Sequence, residues 1–240
     1  MDIKTRGIVL RTFKHKDSQY ISDIYTENYG RIPFLIRVPK SSKGKIRLNN
    51  FQHFFQLDIE GIYRETREIQ TIREVQLLHT YTDIPYNVHK STISMFLCDL
   101  LAKCLYEKEE NPDLFNFLIA AGLILDQSEK TGNFPIVFMK ELTHFLGFRP
   151  ENNYSEERKI FDMERGYYTL TPPIHGHYLT GNNAEYMRLL LECSLLNMSE
   201  HHISKAQRNV LMKFMINYYK YHIENFGTLK TLEVLREVFE

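Results

Sequence analysis

Apolar and polar residues alternate with a period of two over the first third of the chain and with a period near that of a helix over the rest. The clearest alternation covers residues 31–38. There Ile32, Phe34, Ile36 and Val38 point one way and Arg31, Pro33, Leu35 and Arg37 the other, as successive side chains of a strand must. One face suits a core and the other is partly cationic. Further strands are predicted over residues 5–13, 20–26, 51–59 and, less regularly, 69–75, with breaks at Lys16-Asp17-Ser18, Glu27-Asn28-Tyr29-Gly30, Ser41-Ser42-Lys43-Gly44 and near Gly61. Five short strands without a long helix predict a small antiparallel barrel, most simply of OB type.

Beyond residue 85 the period changes. Ile93, Phe96, Leu97, Leu100, Leu101, Cys104 and Leu105 recur at helical spacing and predict a helix over 90–108. Asn111-Pro112 opens a second, apolar on nearly every side as far as Leu125. Phe134, Val137, Phe138, Leu142, Phe145 and Leu146 mark a third, stopped by Gly147 and Pro150. Asn182 begins a fourth. Ser204 and Gln207 form a capping box for a fifth, and Leu229, Leu232, Leu235 and Val238 outline a sixth.

Residues 151–181 resist a helical reading. They predict a hairpin, 160–163 with 167–170 around Glu164-Arg165-Gly166, followed by Pro172-Pro173 and His175-Gly176-His177. The expectation is an α+β multidomain chain: an OB-fold nucleic-acid-binding domain over 1–82, then an α-helical bundle domain over 83–240 carrying a loop and hairpin insertion at about 151–181.

Charge sharpens this division. The whole sequence balances 30 Lys and Arg against 30 Asp and Glu, yet residues 1–80 hold 14 basic and 9 acidic residues. Arg31, Arg37, Lys40, Lys43, Lys45 and Arg47 fall within 17 positions that contain no acid. A basic strand-built front end suggests a polyanion, of which a phosphate backbone is the commonest. These six residues are the candidate DNA-binding set. Tyr20, Tyr25, Tyr29, Phe51, Phe54 and Tyr63 are the aromatics available for stacking on bases. Six phosphate contacts on a single strand correspond to a log–log salt slope of roughly −4.

Other chemistry is sparse. Cys98, Cys104 and Cys193 form no C-x-x-C pair and lie among leucines, which fits core thiols in a reducing cytoplasm. No apolar run reaches about 18 residues, so neither a membrane span nor a secretion signal is expected. Neither a phosphate-cradling glycine loop nor a G-x-S-x-G elbow occurs. His175, His177, His201 and His202, with Asp162 or Glu164, could hold a metal as in a hydrolase, but no partnered spacing supports that reading. No enzyme, cofactor or metal is expected.

The order of motifs resembles the RecO family of bacterial recombination-mediator proteins. The similar stretches are Gly7-Ile8-Val9-Leu10, Tyr25-Thr26-Glu27-Asn28-Tyr29-Gly30 leading to Pro39-Lys40-Ser41-Ser42, Phe138 to Pro150, and Phe226-Gly227-Thr228-Leu229-Lys230-Thr231. The resemblance implies an OB barrel joined to a helical domain that binds single- and double-stranded DNA and anneals complementary strands. It also implies action with RecR to load RecA on DNA coated by single-strand-binding protein, whose C-terminal tail is a further partner. Many relatives place four cysteines after the Gly-Phe-x-Pro stop as a zinc site. Residues 152–166 contain none, so a metal-free insertion shaped by its hairpin and by Phe161, Tyr167 and Tyr168 is expected. The alternative from another class is a protein-binding adaptor whose barrel is a docking module and whose charges are incidental.

Overall fold

The computed structural model describes residues 1–38, 46–106 and 109–239. Its strands are β1 Asp2–Lys16, β2 Gln19–Thr26, β3 Gly30–Arg37, β4 Gln56–Ile62, β5 Gln70–Leu77, β6 Ile160–Asp162, β7 Tyr167–Thr169 and β8 Tyr178–Leu179. Its helices are α1 Val88–Cys104, α2 Pro112–Gln127, α3 Phe134–Phe145, α4 Asn182–Glu192, α5 Lys205–His222 and α6 Leu232–Val238. None of these helices is long and apolar enough to cross a membrane.

The first five strands close a barrel in the order β1-β2-β3-β5-β4. Neighbours are antiparallel except β3 and β5, which close the barrel in parallel through Phe34 opposite Gln70 and Leu35 opposite Thr71. Ile32, Phe34 and Ile36 of β3 are buried with Ile24, Leu57 and Ile59, as the alternation requires. Gly7 sits where β1 is paired on both edges, with β2 and with β4. A Cβ there would lie 2.6 Å from Ile24 Cγ2 and 2.9 Å from Ile59 Cδ1, so only glycine leaves the barrel core its room.

The strand expected over 51–59 begins at Gln56. Residues Leu48–Phe51 form a 3₁₀ turn instead, and Phe54 has φ 68°, a left-handed conformation that breaks an extended run. The Phe54 N–H nevertheless donates to the Val9 carbonyl at 2.8 Å, so the turn is stitched to β1.

The chain packs as two units, one of Met1–Gln127 together with the stretch from Leu229 onward, the other Ser128–Thr228. The first unit therefore holds more than a barrel. In α1 the Cys98 thiol donates to the Val9 carbonyl at 3.3 Å. In α2 a Cβ on Gly122 would fall 2.2 Å from Tyr81 Oη, and beside it Gln56 Nε2 donates to the Ile119 carbonyl at 2.9 Å. Asp126 accepts from the backbone N–H groups of Thr82, Asp83 and Ile84 and from the Thr82 hydroxyl. Buried Lys90 donates to the Asp126 carbonyl at 2.7 Å and pairs with Asp83. This polar knot fixes the strand-to-helix connection to both helices. Leaving the second unit, the chain returns to α1: the Thr231 N–H and hydroxyl both donate to Asp99 Oδ2, at 3.1 and 3.0 Å.

The second unit packs α3, α4 and α5 with a small sheet in the order β7-β6-β8. Phe138, Met139 and Leu142 of α3, Met187 and Leu190 of α4 and Leu211 and Met215 of α5 are buried. Ser204 and Gln207 form the expected capping box. The expected hairpin is β6 with β7, and Phe161 and Tyr168 stack edge to face at 5.0 Å while Tyr167 is only half-buried.

Candidate nucleic-acid interface

Three strands build the surface. In register, Tyr25 of β2 lies between Ile8 of β1 and Arg31 of β3, Asp23 between Arg11 and Pro33, Ile21 between Phe13 and Leu35, and Gln19 between Lys16 and Arg37. Odd positions of β2 and β3 share the outer face of the barrel wall. That face changes character along its length.

At one end it is covered. Tyr25 is buried against Phe115 of α2, ring centroids 6.4 Å apart. Arg31 donates from Nη1 to the Ala102 carbonyl at 2.8 Å and the Leu105 carbonyl at 3.3 Å, closing the C-terminal turn of α1. Its Nη2 donates to Asp23 Oδ2 at 2.9 Å, and Arg11 Nε donates to the same oxygen at 2.6 Å. Two guanidinium groups thus share one carboxylate, leaving a net positive charge.

At the other end the face is open. Arg11, Phe13, Lys16 and Arg37 are exposed, with Phe13 45% accessible and the Arg11 guanidinium 5.7 Å from its ring centroid. The row Lys16, Gln19, Arg37 runs straight across three strands. Cations beside an accessible ring are what a backbone-tracking, base-stacking surface requires.

Of the six basic residues singled out in the sequence, Arg37 and Arg47 are exposed and Arg31 is committed to the wall and α1. Lys40, Lys43 and Lys45 lie outside the described residues. Among the aromatics, Tyr25, Phe51 and Phe54 are buried, Tyr29 and Tyr63 stack on each other at 5.0 Å, and Tyr20 is half-buried. Phe13 and Lys16 were missed. Their signal was the run from Arg11 to Lys16, polar at every position but Phe13, which reads equally well as the frayed end of a strand.

The thiols and the arginines of the helical unit are quiet. Burial raises the Cys193 thiol to about 11 and pushes Cys98 and Cys104 up as well, which disfavours thiolates. On the helical unit, Arg188 is forked between Glu185 and Glu192, and Arg208 donates to the Ile203 carbonyl at 2.6 Å.

Comparison with known proteins covers nearly the whole chain. Residues 1–81 match the family described as Recombination protein O N terminal, and residues 85–233 match Recombination protein O C terminal. The DNA repair protein RecO of Phocaeicola vulgatus is 34% identical over 237 residues, 98% of each chain. That of Bacteroides fragilis is 32% identical over 99% of each chain, and that of Flavobacterium psychrophilum 31% identical over the full length of both.

Proposed function

Since the chain belongs to the RecO family of DNA repair proteins, we propose that it is a recombination mediator that remodels DNA by binding alone. The barrel holds the sugar-phosphate backbone of single- and double-stranded DNA through Lys16, Arg37 and Arg47 and through Lys40, Lys43 and Lys45, which lie between the last two in sequence. Phe13 offers a ring to a splayed base. Arg31, the sixth member of the sequence-derived set, serves the protein's own packing.

The observation that carries this reading is the open half of the barrel wall, where the row Lys16, Gln19, Arg37 adjoins an accessible phenylalanine and the register partner of both cations is the neutral Gln19. Neutralising phosphates lowers the repulsion between two strands, and holding them together raises their local concentration, so complementary strands anneal without a chemical step. Acting with RecR, the protein helps to load RecA on DNA coated by single-strand-binding protein, whose C-terminal tail it contacts. Its place of work is the nucleoid in the cytoplasm.

Anisotropy of a labelled oligonucleotide across a salt series tests the reading. Binding should weaken steeply with salt, and K16E, R37E and R47E should each flatten the log–log slope for single strands by about 0.7 with the melting temperature unchanged. Affinity that ignores salt, or survives the triple reversal, rejects the interface and favours a protein-docking barrel.

A further inference from the structure

Glu164 lies in the turn between β6 and β7, and His175 and His177 lie in the segment leading to β8. The two histidines follow Glu164 by 11 and 13 positions and converge on it: His177 Nδ1 is 2.6 Å and His175 Nδ1 3.6 Å from the same oxygen, Glu164 Oε1. One donor atom from each lies within 4.8 Å of the others, a convergence that no other group of three His, Cys, Asp or Glu attains among the described residues.

From this arrangement we infer that Glu164, His175 and His177 bind a divalent ion of the zinc class, with Asp162 orienting His175.

The partners of His175 determine its tautomer. Its Nδ1 accepts the His177 backbone N–H at 3.0 Å, so the ring proton resides on Nε2, which faces the Asp162 carboxylate at 3.2 Å from Oδ1 and 3.4 Å from Oδ2. Asp162 is itself fixed, fully buried and accepting the N–H groups of Glu164 and Arg165. A carboxylate on one ring nitrogen, which leaves the other as the ligating nitrogen, is the outer-sphere pattern of metal-binding histidines. On metal binding the ion takes that lone pair in place of the His177 N–H.

The ring of His177 is held as well, stacked on Tyr221 at 4.7 Å. Donors around a tetrahedral ion stand about 3.4 Å apart, given bonds of about 2.1 Å. The His175–Glu164 separation already fits that geometry, and the His177–Glu164 pair opens by less than an ångström, within reach of exposed side chains. Two imidazoles and one carboxylate select zinc-class ions over magnesium or calcium, and three protein ligands leave a place for water. The ion clips the hairpin turn to the run before β8, between which Met163 N–H already donates to the His177 carbonyl at 2.9 Å. The lack of cysteines thus removes one kind of zinc site and leaves room for another.

The test uses the full chain, stripped with a chelator and titrated with zinc by calorimetry, with cobalt absorption as the report of tetrahedral coordination. One equivalent should bind and raise the melting temperature. H175A and H177A should each weaken binding at least about 100-fold and abolish the thermal gain; D162N should weaken it about 10- to 100-fold. H201A/H202A should bind as the parent does. Should D162N misfold, H177A decides, since that side chain is half exposed and outside the core. The inference is overturned if less than stoichiometric zinc binds, if the H175A/H177A double variant binds like the parent, or if only H201A/H202A loses the metal.

Discussion

Arg31 Nη2 donates to Asp23 Oδ2 across the β2–β3 pair at 2.9 Å, and the other arm of the same guanidinium caps α1. A residue that in sequence belongs to a basic cluster is, in the fold, a rivet. R31A should lower stability by about 2 kcal/mol, the cost of charge-assisted bonds lost from a mostly buried site. Urea unfolding measures that loss. The salt slope of DNA binding should stay as in the parent, and a slope flattened by about 0.7 would mean that Arg31 meets a phosphate after all.

Phe13 makes the complementary prediction. Its ring is accessible and the Arg11 guanidinium lies 5.7 Å from its centroid, so F13A should cost single-strand affinity about 1–3 kcal/mol by loss of stacking. Because no charge is removed, the salt slope should be unaltered. Binding of F13A equal to the parent at every salt concentration would remove stacking from the interface.

Asp126 sets the response to acid. Burial alone would raise its carboxyl, but the N–H groups of Ile84, Thr82 and Asp83 and the Thr82 hydroxyl more than offset this and hold it below the usual carboxylate range. A group depressed in the folded state stabilises fully above its unfolded value, about 3.9, and that stabilisation fades as pH falls through the lower folded value. D126N turns an acceptor into a donor facing donors and should destabilise by about 2–3 kcal/mol near neutrality. Urea midpoints followed from pH 7 into acid should fall less steeply in D126N than in the parent; parallel curves would dismiss the role assigned to this carboxylate.

Gly7 tests the barrel itself. G7A would press a methyl group against Ile24 and Ile59, and overpacking of this kind costs about 1–3 kcal/mol. A thermal melt should show the loss. An unchanged melting temperature would mean that β1 shifts freely between its two neighbours.

What could be read from sequence was whatever rests on neighbours in sequence. The alternation of β3 and the Ser204–Gln207 capping box are local devices, and both stand in the fold as expected. Residues 51–55 read as strand because they run into the alternation of Phe55, Leu57 and Ile59 with Gln56 and Asp58. The left-handed backbone at Phe54 comes instead from its bond to Val9, 45 positions earlier. Arg31 could not be told from Arg37, since its partners on α1 lie 71 and 74 positions away. The same holds for Glu164 and His175: the sequence contains both, but only the hairpin turn and the run before β8 bring them together.

The return of the chain to Asp99 through Thr231 has a consequence for synthesis. During translation the barrel, α1 and α2 emerge first, yet the unit to which they belong lacks its last helix until the whole intervening unit has left the ribosome. Barrel strands can pair early, while docking of α6 must wait. A ribosome stalled before Leu229 should therefore display a nascent chain with the surface of α1 uncovered, open to chaperones that the released protein no longer engages.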